Sequence, residues 1–232
     1  MFEWVLFFFI LIDVVVCWTS YLKKLDSVKL VSKPLFCLLL IAFVLLSVEP
    51  KPYVLFFCAG LFSSFIGDLF LIKEGLEWFA CGLVSFLVSH ICNIIGYSQT
   101  LQIGIFIPSL FVLLIGTITS VPLMQGSKSK TQKLFTLPVH VYSCGLTGGS
   151  FFALSTLSST VGVNWNGVSS VMTAVGYLFF DISDAVLAYN VFVKKSNLTA
   201  IIIITTYHIA QLLLMGGLVY NEKYNELLPI LI

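Results

Sequence analysis

Long apolar runs separated by short polar segments occupy almost the whole sequence. A helix that crosses a bilayer needs about 20 mostly apolar residues, and eight runs approach or exceed that length. The connections between them are too short to form a soluble domain. The pattern therefore predicts an all-α, polytopic membrane helix bundle, a single integral membrane domain over 1–232. The predicted spans are about 2–21, 31–48, 53–72, 76–97, 101–122, 134–158, 167–192 and 198–219.

Composition agrees with a multi-span membrane protein. Hydrophobic residues make up 59% of the chain and charged residues only 10%, against roughly 25% charged in a soluble domain. The net charge of +1 and the lack of a basic stripe exclude nucleic acid as a partner. All six cysteines lie in apolar runs without a CxxC pair, so we expect small core residues and neither disulfides nor a zinc site.

The lysines predict how the bundle is oriented. Counting Lys33 at the start of the second span, the connections after the first, third, fifth and seventh spans carry 4, 1, 3 and 2 lysines, which places ten of the twelve on one side. Basic residues accumulate in cytoplasmic loops of membrane proteins. Both termini are therefore expected to face away from the cytosol. The N-terminal run lacks the basic region and cleavage site of a signal peptide, so we expect it to remain as the first span.

Aspartates within the apolar runs are the strongest candidates for chemistry. The segment Gly176 to Tyr189 contains Asp181 and Asp184, whose i, i+3 spacing puts both on one helix face. Asp68 is likewise surrounded by apolar residues, with no lysine one turn away. A charge at membrane depth is costly, so each such residue is by default a functional candidate that needs a partner. We expect Asp68 and Asp184 to be functional.

Other polar residues are spread over several predicted spans. Facing helices could bring them together around one cavity that opens toward the cytosol. A structural alternative is open for each: Asp13 and Asp181 could pair with interfacial lysines, and the histidines and tyrosines could be hydrogen-bonded core residues. The set comprises Asp13, Ser63, Ser64, His90, Asn93, His140, Tyr142, Tyr177, Ser183, Tyr207, His208 and Gln211.

Several short motifs occur in an order that matches a known family. They are GDLFL at Gly67 to Leu71, GLVSFLVSH at Gly82 to His90, FxxSDAVLA at Phe180 to Ala188 and YHIAQ at Tyr207 to Gln211, together with Lys33-Pro34 and Tyr142. With these motifs the chain, from about Lys33 to Gln211, resembles the YhhN-like lysoplasmalogenase family of multi-pass membrane enzymes. No single motif is specific, and the resemblance depends on the ordered set.

The resemblance implies hydrolysis of the vinyl ether bond at the sn-1 position of a lysoplasmalogen. The products would be a fatty aldehyde and glycerophosphoethanolamine or glycerophosphocholine. It also implies the endoplasmic reticulum membrane in a eukaryote or the inner membrane in a bacterium. The polar residues of the family's motifs fall on Lys33, Asp68, His90, Tyr142, Ser183, Asp184, Tyr207 and Gln211.

Three positions depart from the family pattern. Asn93 stands where an aromatic residue is usual, Asp181 replaces an apolar residue, and His208 replaces the second tyrosine of a YYxAQ motif. All three lie among the motif residues, so they bear on the shape of the site. Asp181 and His208 are included among the expected substrate-positioning residues.

The chemistry of a vinyl ether fits a pair of buried carboxyl groups. Such a bond resists bases but yields to acid, because protonation of the outer alkene carbon gives an oxocarbenium ion that water captures. Burial and a second nearby carboxylate both favour a protonated carboxyl group. We therefore expect one of Asp68 and Asp184 to be the general acid and the other to stabilise the cation. Asp184 is the expected acid, because Asp181 lies one turn away.

The remaining candidates are expected to position the substrate. Tyr207, Gln211 and His90 would orient water or the glycerol hydroxyl group, and Lys33, expected at the cytosolic surface, would hold the phosphate.

Two further classes of function are open from the sequence. A transporter or channel also buries acids and histidines, although no internal repeat relates the two halves of the chain. A metal-dependent lipid hydrolase could use Asp68, His90, Asp184 and His208 as ligands, although neither an HxxxH nor an HExxH motif is present. The lysoplasmalogenase interpretation requires no cofactor, and its expected partners are a lysophospholipid and the bilayer.

Overall fold

The computed structural model describes residues 2–101, 135–158 and 164–231, with side chains described as far as 225 in the last helix. These residues form α-helices and no strand, which confirms the predicted all-α class. The helices within the described ranges are α1 (Phe2–Lys23), α2 (Asp26–Ser47), α3 (Pro52–Leu71), α4 (Leu76–Ser98), α5 (Thr136–Ser155), α6 (Gly167–Phe192) and α7 (Asn197–Leu231).

Six of the described helices are long and apolar enough to cross a membrane: α1 to α4, α6 and the part of α7 up to Asn225. This makes the chain an integral, multi-pass membrane protein. The α5 helix contains many small and polar residues and is not among the six. The predicted span over 101–122 lies outside the described residues except for Leu101. The count of eight spans is therefore still a prediction.

Local sequence signals explain several helix ends. Pro52 is the first residue of α3, where its missing N–H costs no hydrogen bond. The side chain of Asn166 caps α6 by accepting a hydrogen bond from the Ser169 backbone N–H at 3.0 Å. Gly75, between α3 and α4, adopts a φ of +129°, which side-chain-bearing residues rarely adopt. Short connections of this kind make neighbouring helices antiparallel.

Two helices are longer than the sequence pattern predicts. The α2 helix begins at Asp26 rather than near 31, so Pro34 lies inside it. The α7 helix continues past 219 to Leu231. Ion pairs to residues at the starts of α3 and α1 stabilise its polar extension, because Glu222 lies 2.7 Å from Lys51 and Lys223 pairs with Glu3.

The two ends of the bundle differ in charge. At one end, Lys195 follows α6 and pairs at 2.6 Å with Glu74, between α3 and α4. At the other end, Lys223 of α7 meets Glu3 at the start of α1. Most described lysines lie at the first end. Which end faces the cytosol is still a prediction.

Close helix packing occurs where small residues allow it. The α5 helix packs against α4 and α6. A Cβ atom added to Gly149 of α5 would come within 2.6 Å of the ring of Tyr177 in α6. Glycine is therefore required for this approach, as expected for a small-xxx-small face. The contact brings the polar side chains of α4, α5 and α6 close together.

Candidate active site

Asp68 of α3 is the centre of a buried polar cluster with two side chains of α2 and one of α7. Its Oδ1 atom lies 2.9 Å from the Nζ atom of Lys33. The hydroxyl group of Tyr207 donates a hydrogen bond to Oδ2 at 3.0 Å. The Cys37 thiol lies 3.1 Å from that hydroxyl and 3.8 Å from Oδ2. Asp68 is only 1% exposed. We call these four residues the Asp68 cluster.

Lys33 is not at the surface, where the sequence placed it. Its residue is only 8% exposed, and its ammonium group is held against Asp68. A buried charge is strongly destabilising without a partner, and this pair provides one for each residue. The sequence could not show the pairing, because Lys33 and Asp68 lie 35 positions apart on different helices.

A second layer of hydrogen bonds extends the Asp68 cluster toward α4. Ser64 of α3 lies 2.9 Å from Ser89 of α4, hydroxyl to hydroxyl. The amide of Gln211 in α7 donates to the Ser64 hydroxyl at 3.4 Å. Gln211 and Tyr207 are one helical turn apart, so α7 presents both toward α3. This places two predicted site residues, Tyr207 and Gln211, on the same side of α7.

Asp184 of α6 belongs to a different cluster, formed with α4 and α5. The hydroxyl group of Tyr142 donates a short hydrogen bond to Asp184 Oδ2. His90 Nε2 lies 3.2 Å from the Tyr142 oxygen and 3.9 Å from the same carboxylate oxygen. His90 is fully buried, and its Nδ1 atom has no hydrogen-bond partner among the described residues. We call these three residues the Asp184 cluster.

Asp181 and Asp184 face the same neighbouring helix, as their spacing predicts. The Ser150 hydroxyl of α5 lies 3.0 and 2.9 Å from the two carboxylate oxygens of Asp181. Tyr142, which binds Asp184, is also on α5. In the next turn the Asn93 amide donates to the Tyr177 hydroxyl at 3.2 Å. Asn93 and Asp181, two of the departures from the family pattern, therefore both have polar partners.

An aromatic side chain lies between the two clusters. The ring of Phe180 is 4.9 Å from that of His90 and 5.8 Å from that of Tyr207, measured between centroids. No hydrogen bond or ion pair joins Asp68 to Asp184, both of which are in the described part of the chain. The acids thus belong to two polar groups on either side of Phe180.

His208 and Ser183 belong to neither the Asp68 cluster nor the Asp184 cluster. The His208 ring packs 4.3 Å from that of Phe36 and stacks 6.3 Å from that of Trp18, and both its nitrogens are buried without a hydrogen-bond partner among described residues. Ser183 donates to the backbone carbonyl of Ile203 at 3.1 Å, which ties α6 to α7.

The candidate metal ligands are not assembled into a binding site. Asp68 is paired with Lys33, and His208 packs among aromatic rings. Only His90 and Asp184 approach each other. Over residues 2–101, 135–158 and 164–231, no group of three or more His, Cys, Asp or Glu side chains is placed to hold a metal ion.

Three residues near the candidate acids were not found from the sequence. Cys37, Ser150 and Phe180 lie in apolar or small-residue runs. Nothing in the local sequence distinguishes Cys37 or Ser150 from packing residues. Phe180 begins the FxxSDAVLA motif, but only the contacts between helices show that it lies between the two acids. Cys37 was expected to be a small core residue; it is buried and also belongs to the Asp68 cluster.

Comparison with known proteins gives two kinds of match. The curated relatives include lysoplasmalogenase TMEM86A of Homo sapiens, 28% identical over 195 residues that cover 82% of this chain and 77% of the relative. Lysoplasmalogenase TMEM86A of Bos taurus is 28% identical over 194 residues, with coverage of 82% and 77%. No solved structure matches. The model of the YhhN family matches residues 28–218. The chain belongs to the YhhN family.

Proposed function

We propose that the protein is a lysoplasmalogenase that hydrolyses the vinyl ether bond of lysoplasmenylethanolamine or lysoplasmenylcholine. The products are a fatty aldehyde and glycerophosphoethanolamine or glycerophosphocholine. Two observations support the proposal: the relatives are named lysoplasmalogenases, and the carboxyl groups of Asp68 and Asp184 lie in membrane-spanning helices, where acid catalysis can be separated from bulk water.

The arrangement around Asp184 supports the assignment of this residue as the general acid. No lysine lies beside it among the described residues; its hydrogen-bond partner is Tyr142, which also contacts His90. A proton can reach the carboxyl group along this line of exchangeable groups. Asp68, in contrast, has a lysine at 2.9 Å, which suits a permanently ionised carboxylate. This difference in neighbouring charge supports the proposed roles of Asp184 as the general acid and Asp68 as the ionised carboxylate.

The reaction follows from these two roles. Asp184 transfers its proton to the outer alkene carbon, which leaves an oxocarbenium ion at the carbon attached to oxygen. The negative charge of Asp68 stabilises this cation and orients water toward it. Water adds to the cationic carbon and returns a proton to Asp184. The resulting hemiacetal breaks its bond to the glycerol oxygen, which takes up the hydroxyl proton and leaves the aldehyde. One water is consumed, and both acids return to their starting states.

Phe180 supports a position for the reacting bond between the two acids. Its ring is adjacent to both His90 and Tyr207. The face of an aromatic ring attracts a cation, and the oxocarbenium ion is the cation formed. We propose that the vinyl ether passes beside this ring, with Asp184 on one side and Asp68 on the other. The same division between two carboxyl groups serves glycosidases, whose transition states also have oxocarbenium character.

The other predicted residues hold these groups in place. Tyr207 and Lys33 fix Asp68, while Gln211 extends the same network toward α4. An ammonium group has three donors, so Lys33 can bind a headgroup phosphate while it remains paired with Asp68. We propose positioning roles for Tyr142, His90, Asp181, Ser183 and His208 as well, as the sequence predicted.

Topology and location complete the proposal. We infer one membrane domain of eight spans with both termini away from the cytosol. The membrane is that of the endoplasmic reticulum if the source is eukaryotic, and the inner membrane if it is bacterial.

The decisive experiment measures aldehyde release by the purified protein in detergent. The substrates are a vinyl ether lysophospholipid and its saturated alkyl ether counterpart, with ethanolamine or choline headgroups. We expect release from the vinyl ether alone and its loss in an Asp184→Asn variant. No release from the vinyl ether by folded protein would contradict the proposed function, and transport assays would follow.

A further inference from the structure

A groove lies between α1, α2 and α7, at the end of the bundle that contains the Glu3 and Lys223 pair. Its volume is about 380 Å³, within the range of small-molecule pockets of roughly 300–1,000 Å³. Apolar side chains from all three helices form its walls, and the ion pair forms part of its rim. The wall residues used below are Phe7, Leu40, Phe43, Leu212 and Val219.

The inner end of the groove is close to the Asp68 cluster. Leu40 is three residues from Cys37 on α2, about one helical turn. Cys37 in turn contacts Asp68 and Tyr207. On α7, Leu212 directly follows Gln211. The groove and the Asp68 cluster are therefore successive levels of one interface between helices.

We propose that the groove binds the aliphatic chain of a single-chain ether lysophospholipid, whose polar headgroup lies at the Lys33 end of α2. The inference rests on the proposed function and adds a substrate-chain site to it. It commits to one occupant, the hydrocarbon chain. The apolar walls favour this occupant because burial of each CH₂ group contributes about 0.8 kcal/mol.

The position of the scissile bond fixes the orientation of the lipid. In a vinyl ether lipid this bond joins the glycerol oxygen to the first carbon of the chain, so it lies close to the headgroup. With the headgroup at Lys33, the bond lies at the level of Asp68 and Tyr207. Seven residues separate Lys33 from Leu40, about 10 Å of helix, so a long chain extends into the groove. The opposite orientation would place the bond at the Glu3 rim, far from both acids.

The size of the groove also predicts lipid selectivity. Its volume is near the lower limit for ligand pockets, which suits one chain better than two. We therefore expect single-chain lipids to be preferred over diacyl phospholipids. The acids alone would not produce this preference, because they contact only the bond that reacts.

Photocrosslinking can locate the chain independently of turnover. The probe is a saturated alkyl ether lysophospholipid with a diazirine at the chain terminus, added to the full chain in nanodiscs and mapped by mass spectrometry. We expect adducts on groove residues such as Phe7, Phe43 and Val219, competed by excess vinyl ether lysophospholipid and much less by diacyl phospholipid. Adducts spread over the outer faces of the helices, or equal competition by both lipids, would overturn the inference.

Narrowing the groove tests the same site through selectivity. Leu212→Trp should lower kcat/KM for long-chain substrates by about tenfold, since the loss of even one methylene contact in an apolar pocket is worth 10-fold or more, and should spare short-chain substrates. Leu46→Trp is the matched control, because Leu46 is 64% exposed on α2 and does not line the groove. Equal loss at every chain length would contradict the proposal. If Leu212→Trp does not fold, Phe43→Ala should shift the preference toward longer chains, and an unchanged preference would overturn it.

The two experiments separate the inference from the proposed function. If the wild-type protein releases no aldehyde, the proposed function fails, while competed adducts in the groove still support a lysolipid-chain site there. If aldehyde is released but the adducts lie elsewhere, the proposed function stands and the groove assignment fails.

Discussion

Asp68 is a buried carboxyl group and Asp184 a partly buried one, both in apolar helices, but their neighbours differ in charge. Asp68 contacts Lys33 at 2.9 Å, together with Tyr207 and Cys37. Asp184 contacts Tyr142, with His90 at 3.9 Å. One acid thus has a fixed cation beside it, and the other has only groups that can exchange protons.

This difference in neighbours allows one bundle to contain both an ionised carboxylate and a proton-donating carboxyl group. If one partner of a buried ion pair is neutralised, the other charge is left unpaired, which costs a large amount of free energy. No lysine lies beside Asp184 among the described residues, and its hydrogen-bond partner, Tyr142, can itself exchange a proton. Asp68 is therefore suited to electrostatic stabilisation, and Asp184 to proton transfer.

The largest expected effect is the loss of the proton donor. Asp184→Asn should lower kcat for vinyl ether hydrolysis by about 10²–10⁴-fold, the usual contribution of general acid catalysis, while the protein stays folded. Asp26→Asn is the matched control, because Asp26 is exposed at the start of α2 and, among the described residues, pairs with Lys29 alone. Aldehyde release measures both. Retained activity in Asp184→Asn would exclude Asp184 as the acid and direct attention to Asp68.

Removing the cation from the Asp68 cluster should mainly affect stability. Lys33→Met leaves a buried carboxylate without its partner, which should cost about 3–5 kcal/mol. The double variant Lys33→Met with Asp68→Asn removes both charges and should recover much of the loss, yet remain inactive. Thermal unfolding in detergent, followed beside aldehyde release, measures both effects. A double variant no more stable than Lys33→Met would show that the ion pair is not what stabilises this region.

Much of the fold follows from the sequence because apolar length is a direct signal. The predicted span 167–192 has the same bounds as α6, and the first, third and fourth spans differ from their helices by only one or two residues. The prediction failed at the end of α7, where Glu222 and Lys223 remain helical. Their partners, Lys51 and Glu3, are distant in the sequence, so hydropathy alone could not identify this extension.

The candidate site was less predictable than the fold. The sequence identified Asp68, Asp184, His90 and Tyr142 as polar residues in apolar surroundings, a signal that needs no knowledge of packing. It could not divide them between two clusters, because that depends on which helices are neighbours. The packing between helices also determines the position of Phe180 between the clusters and the burial of Lys33.

Loss of a tyrosine hydroxyl should affect the two clusters differently. Tyr142→Phe removes the link between His90 and Asp184. A hydrogen bond between neutral groups contributes about 0.5–1.5 kcal/mol, so kcat should fall by up to roughly tenfold. Tyr207→Phe should lower kcat less, because Lys33 still holds Asp68. Parallel measurement of kcat and KM for the two variants tests this order. The reverse order would place proton transfer at the Asp68 cluster.

The smallest expected effect concerns Asp181, which lies beside the Asp184 cluster. Ser150→Ala removes the donor to this partly buried carboxylate, which should destabilise the protein by about 1–3 kcal/mol. Adding Asp181→Leu replaces both polar partners with apolar groups and should restore stability, since such a pair can be nearly neutral. Thermal unfolding of the single and double variants measures this recovery. If kcat also falls in the double variant while stability recovers, then the negative charge of Asp181 acts on Asp184 and helps to keep the acid protonated. If kcat is unchanged, Tyr142 and His90 are sufficient to set the state of Asp184, and the contrast with the lysine-bound Asp68 accounts for the acid by itself.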